Sequence, residues 1–139
     1  GFCPTVSALI KGEPYIGATA LFASEDMDAG DVIAQKKLPV TYPFKISEAF
    51  EAIGGAYSGL FVEGLSQFDK GRIEGKEQNH NDATFCLWRG EDDYRIQWNQ
   101  KANDIVRFID ALGPPYKGAK AYMDEKEIRI FDAVEVSEK

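Results

Sequence analysis

Apolar residues in the first part of the chain fall into runs whose spacing predicts a helix and then a hairpin. Residues 5–11 follow Pro4, which is tolerated in the first turn of a helix, and Gly12 stops the run. Residues 15–23 and 31–40 are rich in small and β-branched apolar side chains, as buried strands are. The short acidic stretch between them predicts that the two strands pair antiparallel.

A longer apolar pattern begins at Ile46 and steps by three or four residues as far as Phe68. This period predicts one long amphipathic helix, with Ser47 as its N-cap. Each glycine inside a helix lowers its stability by about 1 kcal/mol relative to alanine. We therefore expect close packing against another backbone, or a bend, at the four glycines of this segment, Gly54, Gly55, Gly59 and Gly64.

Polar, turn-rich residues follow at 71–82, and the domain boundary is predicted there, between residues 1–72 and 73–139. Beyond it the pattern predicts strands at 83–88 and 94–98, then a helix that Asn99 caps and whose apolar face runs from Ala102 to Leu112. Two further strands are expected at 119–123 and 127–136. The predicted class is α+β, ending in a small strand–strand–helix–strand–strand domain.

Composition narrows the function classes. With 139 residues and 44% hydrophobic residues, the chain can form a real core, and its net charge of −7 argues against a general nucleic-acid binder. Cys3, Cys86 and the single histidine, His80, do not have the spacing of a metal site, so no metal is expected. No apolar run is long enough for a membrane span, and we expect a cytoplasmic protein with reduced thiols.

Three stretches resemble formyltransferases that take a one-carbon unit from formyl-tetrahydrofolate, and most of all those that N-formylate amino sugars carried on nucleoside diphosphates. They are CPTVSALIKGEPYIGAT at 3–19, EDMDAGDVIAQK at 25–36 with its Asp-x-Gly-Asp motif, and residues 83–119 with ATFCLWRGEDDYRIQW and PPYKGA. The resemblance implies that residues 1–72 are the end of a Rossmann-like formyltransferase domain. It also implies that residues 73–139 are the small C-terminal α+β domain of that family.

The catalytic set of this family is an Asn, a His two residues later, and an Asp in the Asp-x-Gly-Asp loop. Only the Asp has a match, at Asp28. The resemblance places the Asn and His just before Gly1, so this chain is expected to be inactive and need not bind formyl-tetrahydrofolate, the cofactor that the family implies. From the residues alone, Asp28 belongs to a solvated acidic turn, and His80 is a surface residue of a polar segment.

Four residues of the second part are candidates for binding a nucleotide-linked sugar. Trp88 and Tyr94 could stack on a base, and Arg89 and Lys117 could bind a pyrophosphate. The alternative is that these aromatics, with Phe85 and Trp98, belong to the core or to an interface, and that the two cations are ordinary surface charges.

Two further readings of the whole chain stay open. It could be a catalytically silent binding or dimerisation module derived from a formyltransferase. A methionyl-tRNA formyltransferase is disfavoured, because that enzyme carries a larger, basic C-terminal domain. In either case, open strand edges and uncovered apolar surface lead us to expect a homodimer.

Overall fold

The computed structural model describes residues 3–69, 71 and 73–136. The chain folds in the order α1 (Pro4–Lys11), β1 (Tyr15–Leu21), β2 (Val32–Pro39), α2 (Ile46–Asp69), α3 (Ala102–Leu112), β3 (Ala119–Met123) and β4 (Lys126–Ile130). Short 3₁₀ helices lie at His80–Asp82 and Glu91–Tyr94. The predicted α+β class is confirmed.

The strands form two separate antiparallel hairpins. In the first, Tyr15 lies opposite Pro39, and a bulge interrupts the register at Ala20 and Leu21. In the second, Asp124 and Glu125 make the turn with φ angles of 48° and 64°. Positive φ at both central residues is the geometry of the type I′ turn, which matches the twist of the flanking strands.

The two strands predicted before α3 do not form as ladders. Residues 83–90 are extended without strand pairing, and Arg95 makes one isolated parallel bridge to Lys120. The alternation that suggested a strand reflects the burial of a single side chain: Ile96 is 4% exposed, and its neighbours Arg95 and Gln97 are exposed. One bridge to β3 stands where a full strand ladder was predicted. The last strand is also shorter than predicted and ends at Ile130.

Both predicted N-caps are wrong. Helix α2 begins at Ile46, so Ser47 lies inside it, and the Lys45 N–H donates to the Glu48 carboxylate at 2.7 Å instead. Helix α3 begins at Ala102 after Lys101, three residues beyond Asn99. In α2 a carboxylate in the first turn satisfies a free backbone N–H.

One core runs through the described part of the chain. Val6 and Leu9 of α1 belong to the same buried cluster as Ile109 and Leu112 of α3. Helix α2 covers the first hairpin with a buried face that includes Ile46, Ala49, Ile53, Ala56 and Leu60. The polar segment after α2 also returns to this hairpin, where Val32 and Lys76 exchange two backbone hydrogen bonds of 2.8 Å. The predicted boundary between residues 72 and 73 stays a prediction.

The expected packing of the α2 glycines against another backbone is not observed, and only Gly59 meets a neighbour, which is a side chain. A Cβ at Gly59 would lie 2.1 Å from Lys36 Nζ, so this glycine leaves room for the lysine that crosses the helix. No heavy atom lies within 4 Å of a Cβ built at Gly54, Gly55 or Gly64. Beside them, the helix exposes Tyr57, Phe61, Leu65 and Phe68.

In the described residues no helix has both the length and the apolar character that a membrane span requires.

Asp110 is a charged side chain placed in the core. It is 2% exposed, and no described residue donates a hydrogen bond to its Oδ1. Burial raises the pKa of this carboxyl, the nearby Lys45 ammonium lowers it, and Asp132 and Glu48 raise it. The folded protein therefore holds a proton on Asp110 at pH values where the unfolded chain has already lost it.

The raised pKa predicts that Asp110 lowers the stability of the fold at neutral pH. Since the folded-state pKa lies above the unfolded one, this contribution is unfavourable once the pH has risen through both values, and it vanishes below the unfolded pKa. Asp110→Asn should therefore raise the melting temperature at pH 7 and change it little at pH 3. The exposed Asp92→Asn is the matched control, and equal effects of the two variants at pH 7 would contradict the assignment.

Candidate functional site

The predicted catalytic carboxylate, Asp28, lies in the loop that joins β1 to β2. Its φ is 60°, in the left-handed region that Asp and Asn tolerate better than other non-glycine residues. The base of the loop is closed by the Phe22 N–H, which donates to the Asp31 carbonyl oxygen at 2.9 Å. The side chain of Asp28 is exposed, so its carboxylate faces the surface of this part of the chain.

The Asp-x-Gly-Asp motif requires a glycine at position 30 for a steric reason. A Cβ built at Gly30 would lie 1.8 Å from the Phe22 carbonyl oxygen, closer than any side chain can come to a backbone atom. Gly30 is therefore required for the loop to close directly against the end of β1. The motif fixes the position from which Asp28 projects.

A side chain from much farther along the sequence holds the same loop. Gln78 Nε2 donates to the carbonyl oxygens of Asp28 at 2.9 Å and Gly30 at 2.6 Å. Sequence reasoning missed Gln78, and no signal could have found it, because a glutamine in a polar segment has no periodicity or motif. Both hydrogens of the amide are used by backbone oxygens, so this group is a clamp for the loop.

A cleft lies between α1, α3 and residues 85–94, which end in the second 3₁₀ helix, and we call it the α1–α3 cleft. Its inner cavity has a volume of about 210 Å³ and its outer cavity about 460 Å³. Trp88 and Arg89 line both cavities. The other lining residues are Cys3, Val6, Tyr94, Leu112 and Tyr116 in the inner cavity, and Ser7, Ile10, Lys11, Phe85, Cys86, Leu87, Asp93 and Phe108 in the outer one.

Arg89 is the cation at the centre of this cleft. The guanidinium is half-buried and donates to Ser7 Oγ at 3.0 Å, which ties the extended segment to α1. Among the described residues no carboxylate forms an ion pair with it. A half-buried guanidinium whose remaining donors face a cavity is suited to bind an anion.

Tyr116 adds a neutral hydroxyl to the lining of the inner cavity. Its hydroxyl donates to Cys3 Sγ at 3.9 Å, and burial, with this hydrogen bond, raises the pKa of Tyr116 to about 12. The phenol therefore keeps its proton at neutral pH. Trp88, in contrast, is 73% exposed and presents most of its indole to solvent.

The predicted binding residues divide into two groups. Trp88, Arg89 and Tyr94 come together in the inner cavity. Lys117 lines neither cavity. Its ammonium lies on the surface and is paired with the Glu91 carboxylate at 2.9 Å. The hydrogen bond from Lys117, with one from Arg129, lowers the pKa of Glu91.

The catalytic candidate does not lie in this cleft. Asp28 lines neither the inner nor the outer cavity, and His80 is exposed in its 3₁₀ helix. The roles of Asp28, Trp88, Arg89, Tyr94 and Lys117 all stay predictions.

Two family models match the chain in order. Residues 1–53 match the model described as formyl transferase, and residues 90–139 match formyl transferase, C-terminal domain. The chain belongs to the formyl transferase family. The three stretches that resembled this family are thereby explained, and the mixed fold agrees with it.

Known formyl transferases align with nearly all of this chain. It is 30% identical over 136 residues to the methionyl-tRNA formyltransferase of Streptococcus mutans, covering 98% of this chain and 43% of that protein. HypX from Aquifex aeolicus, solved in complex with tetrahydrofolic acid, superposes with a TM-score of 0.77 and 26% identity over 91% of this chain and 22% of HypX. A 4-N formyltransferase from Francisella tularensis gives a TM-score of 0.73 at 23% identity, which shows the shared fold, over 100% of this chain and 58% of that one.

The chain therefore spans less than half the length of the curated relatives that it matches. What those whole proteins bind and catalyse is not carried over by the alignment.

The steric role of Gly30 leads to a direct test of the loop. Gly30→Ala should lower the free energy of unfolding by about 1–3 kcal/mol, because the added methyl overlaps the Phe22 carbonyl oxygen and forces the backbone apart. Gly54→Ala, which meets no atom within 4 Å on α2, should instead raise it by about 1 kcal/mol. Urea denaturation of both variants measures these changes, and a neutral Gly30→Ala would refute the close approach.

Proposed function

We propose that this chain supplies the carboxylate loop and the substrate-binding cleft of an enzyme that transfers a formyl group from formyl-tetrahydrofolate to the amine of a nucleotide-linked amino sugar. The observation that carries the proposal is the Asp-x-Gly-Asp loop of a formyl transferase, closed at Gly30, clamped by Gln78 and presenting Asp28 at the surface. A loop held at both ends places one carboxylate reproducibly against a substrate.

In this proposal Asp28 handles a proton. The amine nitrogen attacks the formyl carbon of formyl-tetrahydrofolate and a new C–N bond forms. The C–N bond to the folate then breaks, tetrahydrofolate leaves, and the proton lost by the amine is passed to the departing folate nitrogen. A carboxylate beside the amine can orient a neighbouring base and help carry that proton away. Formyl-tetrahydrofolate supplies the formyl group, and a structural relative solved with tetrahydrofolic acid supports a folate donor.

The oxyanion that forms during the attack needs hydrogen-bond donors, and the resemblance assigns that role to an Asn and a His outside the Asp28 loop. The Gln78 amide lies at the loop, but both of its hydrogens are bound to backbone carbonyl oxygens. We therefore propose that an amide and an imidazole from residues outside 1–139 complete the site, and that the chain alone does not turn over. Losing such donors typically lowers a rate by roughly 100- to 1,000-fold each.

The α1–α3 cleft is proposed to bind the nucleotide part of the substrate. Its outer cavity of about 460 Å³ and inner cavity of about 210 Å³ are together large enough for a ring and a diphosphate. Arg89 and Lys11 supply positive charge there, and Trp88 offers an exposed indole on which a base can stack. Lys117 is the weakest member of the predicted set, because Glu91 already neutralises it.

Methionyl-tRNA is the second candidate substrate, because the curated relatives carry that name. The net charge of −7 opposes it, since binding a tRNA backbone depends on a surplus of Lys and Arg. A formylation assay of the product of the complete coding sequence, with both substrates at two salt concentrations, separates the candidates. Activity on the tRNA that falls steeply with salt would favour the second one.

The silent-module reading rests on a different surface, the exposed stripe of α2 made of Tyr57, Phe61, Leu65 and Phe68. We propose that this stripe pairs two copies of the chain, because a contiguous apolar patch of this kind marks a contact surface. Phe61→Glu should convert the chain to a monomer in sedimentation velocity, whereas Glu63→Gln on the same helix should not. A monomeric unmodified chain at high concentration would remove the homodimer.

The catalytic proposal predicts a sharp difference between two aspartates of one loop. In the product of the complete coding sequence, Asp28→Asn should lower the rate of formyl transfer to a nucleotide-linked amino sugar by roughly 100- to 10,000-fold. Asp26→Asn, also exposed in that loop, should leave it nearly unchanged. Equal effects, or full activity of residues 1–139 alone, would overturn the assignment.

The cleft predicts a separate effect on binding. Arg89→Gln should raise the KM for the nucleotide-linked sugar with little change in kcat, because it removes a contact that substrate and transition state share. Lys117→Gln is the matched control and should change neither constant. If Lys117→Gln raises the KM and Arg89→Gln does not, the cleft has been placed wrongly.

A further inference from the structure

A second group of aromatic and cationic side chains lies at the edge of the small sheet. Residues 95–99 run beside β3, and the Ile96 N–H donates to the Lys120 carbonyl oxygen at 2.8 Å. A groove of about 540 Å³ opens at this edge, with Arg95, Trp98, Asn99 and Tyr122 among its lining residues. We call it the sheet-edge groove, and it shares no lining residue with the α1–α3 cleft.

Arg95 leaves a positive charge available in this groove. Its guanidinium carbon lies 5.3 Å from the centroid of the Tyr122 ring, within the range of a cation–π contact. A guanidinium carries five N–H donors, and those that do not face the ring can bind an anion. Among the described residues no carboxylate is within ion-pair distance of Arg95, whereas Glu91 and Glu127 neutralise Arg129 nearby.

An uncovered indole lies beside this cation. Trp98 is 62% exposed and Tyr122 is 48% exposed, although Ile96 between Arg95 and Trp98 is buried. An exposed tryptophan in a groove presents a flat apolar surface that a heteroaromatic ring can cover. Asn99 and Gln97 add amide groups that can both donate and accept hydrogen bonds with the edge of such a ring.

We propose that the sheet-edge groove binds a nucleotide, with its base stacked on Trp98 and a phosphate on Arg95. The volume of the groove lies within the range of small-molecule sites, roughly 300–1,000 Å³. Both parts of the ligand are needed, because the indole recognises a ring and the guanidinium recognises an anion. This site is distinct from the cleft proposed for the substrate.

The chain allows each site to be read separately, because Trp88 and Trp98 are its two tryptophans. Trp88→Phe leaves Trp98 as the only indole, and Trp98→Phe leaves Trp88 as the matched reporter of the cleft. Titration of the Trp88→Phe chain with UDP should change the Trp98 emission in a saturable way. Adding Arg95→Gln should weaken this binding about tenfold or more and reduce its salt dependence, since a charged hydrogen bond is lost.

Lys101→Gln in the same background is the control, because Lys101 is exposed and does not line the groove. Uridine and inorganic phosphate, each titrated alone, should bind far more weakly than UDP. Circular dichroism confirms that each variant is folded, as expected for changes at exposed side chains.

Each result decides the proposal. Unchanged Trp98 emission at millimolar UDP, or equal binding by the Arg95→Gln chain, would overturn it. Emission that changes only for Trp88 would assign nucleotide binding to the α1–α3 cleft, which refutes the groove and leaves the proposed function standing. Conversely, saturable Trp98 quenching, together with no formyl transfer to a nucleotide-linked amino sugar by the product of the complete coding sequence, would support the groove and count against the proposed function.

Discussion

The packing of α1 against α3 is the contact on which the arrangement of this molecule depends. Val6 and Leu9 near the start of the chain are buried in one cluster with Ile109 and Leu112 near its end. Residues separated by about a hundred positions thus share one core, and the α1–α3 cleft exists only because the two helices meet. The hydrogen bond from Arg89 to Ser7 lies on the same contact and depends on it. A cavity mutation in this cluster would therefore disturb binding as well as stability.

A second long-range link connects the polar segment after α2 to the first hairpin. Lys76 pairs with Val32, and Gln78 binds the carbonyl oxygens of Asp28 and Gly30. The backbone of the loop that carries the proposed catalytic carboxylate is thus fixed by residues about fifty positions later in the sequence. Loops that must hold one geometry against a substrate gain from such ties, because they remove the conformational freedom of a free turn.

Local patterns in the sequence predicted the helices and hairpins, whose backbone hydrogen bonds form between residues close in sequence. The period of Ile46 to Phe68 predicted α2, although its start was misplaced at the predicted cap, and the strand-like segments predicted both hairpins. Prediction failed where a neighbour decides the outcome. Residues 94–98 alternate like a strand, but only a single bridge to Lys120 forms, because Ile96 is buried by packing and not by a ladder. Ser47 and Asn99 are residue types that often cap helices, but α2 begins one residue before Ser47 and α3 begins three residues after Asn99.

The candidate site shows the same division. Asp28 became a candidate because its loop resembles the Asp-x-Gly-Asp motif of formyl transferases, and Gly30 in that motif has a clear steric cause. Gln78 could not be found, since its role depends on the return of a distant segment. Lys117 and Arg89 look alike in sequence, both cations near turns, but their surroundings differ: Glu91 pairs with Lys117, while Arg89 faces a cavity without a carboxylate partner among the described residues. In an acidic protein the informative cation is the one that the acidic side chains leave unpaired, because only its charge remains available to a ligand. The same criterion separates Arg95, which lines a groove and has no ion pair among the described residues, from Arg129, which Glu91 and Glu127 neutralise.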